Sequence, residues 1–334
     1  MKEIVVSGIR PTGNLHLGNY FGAMQNFIRM QDTHQCYFFI ADYHSLTTHP
    51  NPADLHANVK QVLVEYLACG LDPEKSAIYM QSDLPETTEM YLLLNMNAYL
   101  GELERSASFK DKVRTQPNNV NAGLLTYPVL MAADILIHRA NYVPVGKDQE
   151  QHLEMTRDYA QRFNNMFNVN FLPEPTAFNF GKNLIKVPGL DGTGKMSKSE
   201  SSTNAIFLID DDKTIEKKIK AAKTDLGPTE ANQPFSPEIE NLFNLLKLVS
   251  TEDTLNYFTA KWNAGEGKWY GELKKQLADD MIRFVTPLRN RIAEISKDND
   301  FLARAAKTGA EKAHESGAAT VKQMREIIGI KKFY

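Results

Sequence analysis

The sequence predicts an α/β protein: a Rossmann-like doubly wound parallel sheet with a mainly helical second domain. Three observations carry this expectation. In the first half, short β-rich runs alternate with amphipathic segments, the rhythm of parallel strands joined by crossover helices. The run CYFFIA (36–41) is continuously apolar, as a strand buried on both faces requires. After Ser199 the strand signals thin out and helical patterns run to the end. The 334 residues, 42% hydrophobic and 24% charged, allow one large domain and a smaller one around a substantial core.

The elements follow in order. Residues 4–7 form the first strand, and the turn-rich RPTGNLHLG leads into a helix from about Asn19 to Gln31. After strand 36–41, Pro52 opens a helix that reaches Cys69, where Gly70 supplies the stop. Residues 77–81 are another strand and 86–100 another helix. The segment 106–121 is polar, lysine-rich and broken by proline, so a mobile loop is expected. Residues 143–145 read as a short strand feeding a helix over 149–163. In DDDKTIEKKIKAAKTD, aspartates precede Thr214 and lysines follow, complementing a helix dipole. The expected domains are 1–204, rejoined by 295–334, and a helical domain over 205–294.

Composition excludes several classes. A net charge of −3 is no global polycation, although a local basic face stays open. Cys36 and Cys69 cannot build a disulfide framework or a four-ligand zinc site; both are expected as small core residues, and no protein-held metal is expected. No signal peptide opens the chain and no stretch reaches membrane-spanning length, so the expected setting is cytoplasmic, without a membrane.

Two glycine-rich segments bear on phosphate chemistry. In GIRPTGNLHLGNYFGA (8–23) a strand ends, Gly8 and Gly13 permit tight backbone paths, and a helix starts near Asn19. N–H groups at such a start form an anion site, with His16 and Asn19 placed to donate to phosphate oxygens. Gly18 lets a flat ring approach the main chain. Plain turn chemistry is the alternative for this loop alone. GLDGTGKMSKS (189–199) nearly matches the phosphate-cradling P-loop, with Gly189, Gly194 and Lys195 in place. However, Met196 offers no hydroxyl where that motif holds Mg²⁺, and SKSESSTN does not read as a helix start. Lys195 and Lys198 are three apart, so both ammonium groups can reach one triphosphate; a solvated polar loop is the alternative.

A third segment offers a pocket wall. In NAGLLTYPVLMAADIL (121–136), Tyr127, Met131 and Asp134 are spaced i, i+4, i+7 on one helix face. Pro128 is expected in the first turn or at a kink. An apolar wall with one carboxylate suits a flat aromatic ligand carrying a single N–H; a core face with Asp134 bonded to the protein is the alternative. GKDQ (146–149) lies just past a short strand, at the sheet edge where ligands bind.

HLGN in the first βα turn, followed about 180 residues later by KMSKS, resembles the two signature motifs of class I aminoacyl-tRNA synthetases. The likeness narrows to the bacterial-type tryptophanyl-tRNA synthetases and covers essentially the whole chain. It is carried by YLACGLDPEKS (66–76), GELERSASFKDK (101–112), NAGLLTYPVLMAADIL, VPVGKDQEQHLEMTRD (143–158), KKIKAAKTD (217–225) and GEGKWYGELKKQLAD (265–279).

The resemblance implies ATP-dependent activation of L-tryptophan to its adenylate and transfer to tRNA(Trp). ATP is then a substrate, Mg²⁺ comes on its phosphates, the helical domain binds the anticodon, and the protein is a homodimer. Lys195, Lys198, Lys112 and Gln149 take catalytic roles by the same resemblance, although a solvated loop charge is the alternative for Lys112. An ATP site is implied at Arg10, Pro11, Thr12, His16, Gly18 and Asn19, at Gly146, Lys147, Asp148 and Val187, and at Lys195, Met196, Ser197, Lys198 and Ser199. Asp134 resembles the family's indole N–H acceptor. Val6, Gly8, Tyr127, Met131, Val143 and Val145 are implied as walls, with His44 and Gln149 near the amino acid. Arg10, Val6 and Lys147 depart from residues common in the family (Gln, Phe and an acidic residue). Tyrosine specificity, a small-molecule nucleotidylyltransferase and a catalytically idle tRNA-binding paralogue are the rival readings.

Overall fold

The computed structural model describes residues 2–146, 149–178, 185–192, 194–196, 203–265 and 269–333. The first elements are β1 (Ile4–Ile9), α1 (Gln25–Thr33), β2 (Gln35–Ile40), α2 (Pro52–Cys69) and β3 (Ser76–Met80). Then come α3 (Glu86–Asn95), α4 (Leu100–Arg105), α5 (Ala107–Thr115), α6 (Ala122–Leu136), β4 (Tyr142–Val143), α7 (Glu150–Phe167) and β5 (Thr176–Ala177). Helices complete the chain: α8 (Asp212–Ala221), α9 (Pro237–Val249), α10 (Glu252–Asn263), α11 (Tyr270–Ile295) and α12 (Asn299–Ile328).

The described strands form one parallel sheet in the order β3-β2-β1-β4-β5. Strand order reverses between β1 and β4. The carboxyl ends of these strands are therefore the topological switch point where doubly wound sheets bind ligands. The expected Rossmann-like class is the observed one.

The chain divides into two compact units. One holds Met1–Gly13, Ile28–Phe180 and Asp298–Tyr334; the other holds Asn14–Phe27 and Gly181–Lys297.

In the sheet unit, sequence signals translate directly into caps. The Asn51 side chain accepts from the Ala53 N–H, Pro52 takes the first helical position, and Gly70 ends α2 at φ 113°. Helix α12 packs on β3 through Gly309, where a Cβ would overlap the Ile78 backbone. His138 is buried 1% exposed beneath the same helix, stacked on Tyr37 at 3.9 Å. It bonds Tyr79 Oη at 2.9 Å and Ser316 Oγ at 3.1 Å.

Two local expectations are corrected. The segment 106–121 is not a loop throughout: it holds α5 and a 3₁₀ turn, Pro117–Asn119. Ser106 caps α5 by accepting from the Phe109 N–H at 3.2 Å, and the Gln151 side chain takes the Ala107 N–H at 3.0 Å. The helix expected over 86–100 ends at Asn95, and α4 begins at Leu100. Arg162 from α7 donates to the Asn97 carbonyl and lies over the Tyr99 ring at 4.2 Å, which stabilises the break. Pro128, expected in the first turn or at a kink, is buried in the interior of α6, past the first turn.

The helical unit is organised around aromatic side chains. Phe235 stacks on Phe243 at 4.4 Å, Phe258 on Trp269 at 5.8 Å, and Trp262 Nε1 donates to the Gln233 carbonyl. Asp211 caps α8 through the Thr214 N–H at 2.7 Å, as its aspartate-rich start foretold.

Candidate active site

The sheet unit gathers most of the expected amino-acid pocket. Val6 and Val143 belong to one buried apolar cluster, against which Met131 and Val145 pack. Gly8 faces Phe39 across the strand pair, and a Cβ at Gly8 would enter the Phe39 ring. Glycine is therefore required there by the aromatic beside it.

Asp134, on the same helix as Met131, is only 2% exposed. It is far from bare. His44 Nε2 lies 2.9 Å from Oδ2, and Gln81 Nε2 reaches Oδ1 at 2.8 Å and Oδ2 at 2.9 Å. Burial pushes its carboxyl above the usual carboxylate range, against the downward pull of the His44 and Gln81 hydrogen bonds. The protein thus satisfies this carboxylate and leaves it acceptor capacity, since two oxygens offer about four lone-pair sites. Both readings of Asp134, protein-bonded and ligand-accepting, fit one geometry.

Tyr127 links this group to the start of α7. Its ring meets His44 edge-on at 6.1 Å, and its hydroxyl lies 2.6 Å from His152 Nε2. His152, 2% exposed, also bonds Gln149 Oε1 through Nδ1 at 2.9 Å and Ser108 Oγ through Nε2 at 2.9 Å. The Gln149 oxygen can only accept, so Nδ1–H donates to it and Nε2 accepts from the hydroxyls. Ser108 lies on α5, so this histidine ties down the helix that carries half-buried Lys112. Gly146 accepts the Gln149 N–H at 2.9 Å and turns the chain into α7.

Arg10 stands just past β1, beside buried Pro11 and exposed Thr12. Its Nε is buried without a hydrogen-bond partner among the described residues. Burial lowers the pKa of its guanidinium, and nearby Tyr127 acts the other way. A half-buried cation with a buried, unsatisfied donor suits a carboxylate or phosphate ligand.

The helical unit carries the other motif residues. The helical turn Leu17–Asn19 begins after His16, runs into a π-helical segment, Tyr20–Met24, and continues as α1. The start is therefore Leu17, two residues before the expected one, with the histidine as its N-cap. Asn19 Oδ1 accepts the His16 N–H at 3.1 Å, which leaves its amide NH₂ as a donor. A Cβ at Gly18 would lie 2.8 Å from the His16 imidazole. The flat ring that Gly18 admits here is that of His16. Residues 15–17 pair with 206–208: Leu17 N–H donates to Ile206 O, and Leu208 N–H to Leu15 O, both at 3.0 Å. Phe207 meets His16 edge-on at 6.3 Å and is itself covered by Lys218, 4.7 Å from its ring.

The second motif is not a P-loop. Met196 N–H donates to Val187 O at 2.8 Å, and Pro188 bridges Lys195 in antiparallel fashion, so the chain folds back on itself. Gly192 (φ 81°) and Gly194 (φ 61°) take the left-handed turn conformations this reversal needs. Buried Asn204 clamps the turn: its Oδ1 accepts the Asp191 N–H at 2.9 Å, and a Cβ at Gly189 would strike it. Val187 and Met196 are buried, whereas Lys195 is exposed and positioned by the turn. Lys147, Asp148, Ser197, Lys198 and Ser199 lie outside the described residues.

Sequence reasoning missed Gln81, His152, Phe39 and Asn204. Gln81 had a signal, since it closes the expected strand 77–81 at the carboxyl edge of the sheet.

Comparisons with known proteins bear on the family of the whole chain. The family model for tRNA synthetases class I (W and Y) matches residues 2–286. A tryptophan–tRNA ligase of Porphyromonas gingivalis is 59% identical over 98% of this chain and 100% of its own length. One from Clostridium tetani is 41% identical over 98% of this chain and 96% of its own. The crystal structure of the Campylobacter jejuni tryptophanyl-tRNA synthetase with ADP and tryptophan superposes with a TM-score of 0.86. That pair shares 35% identity over 98% of this chain and 99% of the other. On the strength of a family match over most of its length and of relatives similar throughout, the chain belongs to the class I tRNA synthetases of the tryptophan and tyrosine group.

Proposed function

We propose that this chain is a tryptophan–tRNA ligase. The observation that carries the amino-acid assignment is Asp134, a buried carboxylate on the helix that also carries Met131, bonded to His44 and Gln81 with acceptor capacity to spare. An indole offers one N–H and no acceptor, so it matches that wall. The full-length likeness to tryptophan–tRNA ligases supports the same choice over tyrosine.

Activation joins two substrates. The tryptophan carboxylate attacks the α-phosphorus of ATP in line, a P–O bond forms, and pyrophosphate leaves with the bonding pair. Gln149 orients the α-ammonium group, and Arg10 offers its unsatisfied Nε–H to the anion. Lys195 and Lys198, with Lys112 on α5, stabilise the charge that builds on the leaving phosphates. His16, Gly18 and Asn19 present the helix start to ATP, and Gly146 and Asp148 meet its ribose. Mg²⁺ enters with ATP on phosphate oxygens and belongs to the substrate. The 2′-OH of the terminal tRNA ribose then attacks the aminoacyl carbonyl, and AMP departs.

The helices over 205–294 bind the anticodon in this reading, with the catalytic part formed by 1–204 and 295–334. Leu92, Met96, Tyr99 and Leu100 are each more than half exposed along one stretch, which supports a homodimer through that face. A cytoplasmic setting goes with the activity; no helix among the described residues is long and apolar enough to cross a membrane. Charging of a tRNA(Trp) transcript with labelled tryptophan tests the whole reading. Adenylate formation without charging would refute the transfer step and favour a nucleotidylyltransferase. A monomer in sedimentation at working concentration would refute the dimer.

A further inference from the structure

We propose that Gln81 is a positioning residue for tryptophan recognition, holding the Asp134 carboxylate in the one orientation that presents Oδ1 to the indole N–H. This rests on the assignment of Asp134 as the indole acceptor.

Gln81 opens the turn Gln81–Asp83 just past β3 and is 1% exposed. Its Nε2 lies 2.8 Å from Oδ1 and 2.9 Å from Oδ2 of Asp134, nearly equidistant from the two oxygens. A donor there resists rotation of the carboxylate about its Cβ–Cγ bond. Its Oε1 accepts the backbone N–H of His44 at 3.3 Å, which fixes which end of the amide faces Asp134. His44 then returns through its ring, Nε2 to Oδ2 at 2.9 Å. The carboxylate is therefore loaded asymmetrically. Among the described residues Oδ2 has two protein partners and Oδ1 has one, so Oδ1 keeps the greater capacity for a ligand N–H.

The residue type matters. An amide supplies a donor without adding charge, so Asp134 stays a net negative acceptor for a weak, neutral N–H donor. A lysine or arginine in its place would form an ion pair and spend the carboxylate on the protein. The three partners come from the ends of β2 and β3 and from α6, so the amide also sets their spacing.

The test is a cycle of protein variants against two ligands. L-tryptophan is compared with β-(3-benzothienyl)alanine, which replaces the indole N–H by sulfur and cannot donate. Dissociation constants of both are measured by calorimetry for the unaltered protein, Asp134→Ala, Gln81→Met and Gln81→Glu. Gln81→Met keeps the volume without the donor; Gln81→Glu keeps the shape and serves if the methionine variant does not fold.

The expected result is that Gln81→Met weakens tryptophan by about tenfold and leaves the sulfur analogue within twofold, with ATP affinity unchanged. Equal weakening of both ligands would make Gln81 merely structural and overturn the proposal. If Asp134→Ala removes the preference for tryptophan while both Gln81 variants retain it, the positioning role is wrong although the acceptor assignment stands. A preference that survives in Asp134→Ala, which has no acceptor, would sink the acceptor assignment, and the proposal with it.

Discussion

His138 makes the sheet unit sensitive to acid in a way that can be calculated. It sits between Tyr37, Tyr79 and Ser316, the last of these on α12, and burial pushes it down to about 3 from the usual 6.5. The folded protein therefore binds it neutral, whereas the unfolded chain protonates it near 6.5. A depressed folded value means stability present above the unfolded value and lost as pH falls through the window from 6.5 to about 3. At pH 5 the unfolded histidine is about 1.5 units below its midpoint and the folded one still neutral. With one unit worth about 1.4 kcal/mol, the loss between pH 7 and pH 5 is about 2 kcal/mol. Because pH 5 lies well above the folded value, this loss depends mainly on the unfolded one. Urea unfolding followed by far-UV circular dichroism, at both pH values, gives the slope for the wild type and for His138→Gln. The variant, which cannot titrate, should lose about 2 kcal/mol less over that interval. Equal slopes for the two proteins, or an NMR midpoint for the His138 ring near 6.5, would refute the reasoning.

Other outcomes follow from the same contacts. Gly309→Ala drives a methyl into the Ile78 backbone, so it should cost about 2 kcal/mol or more despite alanine's better helix propensity; thermal unfolding checks this. Asp134→Ala should raise the KM for tryptophan at least tenfold and leave the KM for ATP within twofold; equal changes in both would remove Asp134 from the pocket. Lys195→Ala should slow adenylate formation in single-turnover kinetics by roughly 10²–10³-fold with an unchanged melting temperature. Wild-type activation in that variant would exclude it from charge stabilisation.

Much of the fold was legible because its signals are local. The continuous apolar run at 36–41 gives β2, and Pro52 with Gly70 bounds α2 to the residue. Helix α5 was hidden because its support is tertiary: Gln151 and His152 reach it from α7, across 44 residues of sequence. The break after Asn95 depends likewise on Arg162, whose role no local composition reveals. At the site, residue types were readable but partners were not. Asp134 stands 90 residues from His44 and 53 from Gln81, and only the strand order brings the three together. Gly18 was recognised as permissive, yet the ring it admits is its own neighbour's.

Amino-acid-dependent exchange of pyrophosphate into ATP, run without tRNA across all the standard amino acids, tests the central claim most directly. The account predicts exchange with tryptophan alone, lost in Asp134→Ala. Exchange with tyrosine instead would contradict the pocket. No exchange with any amino acid, in protein that still binds ATP, would contradict the catalytic reading itself.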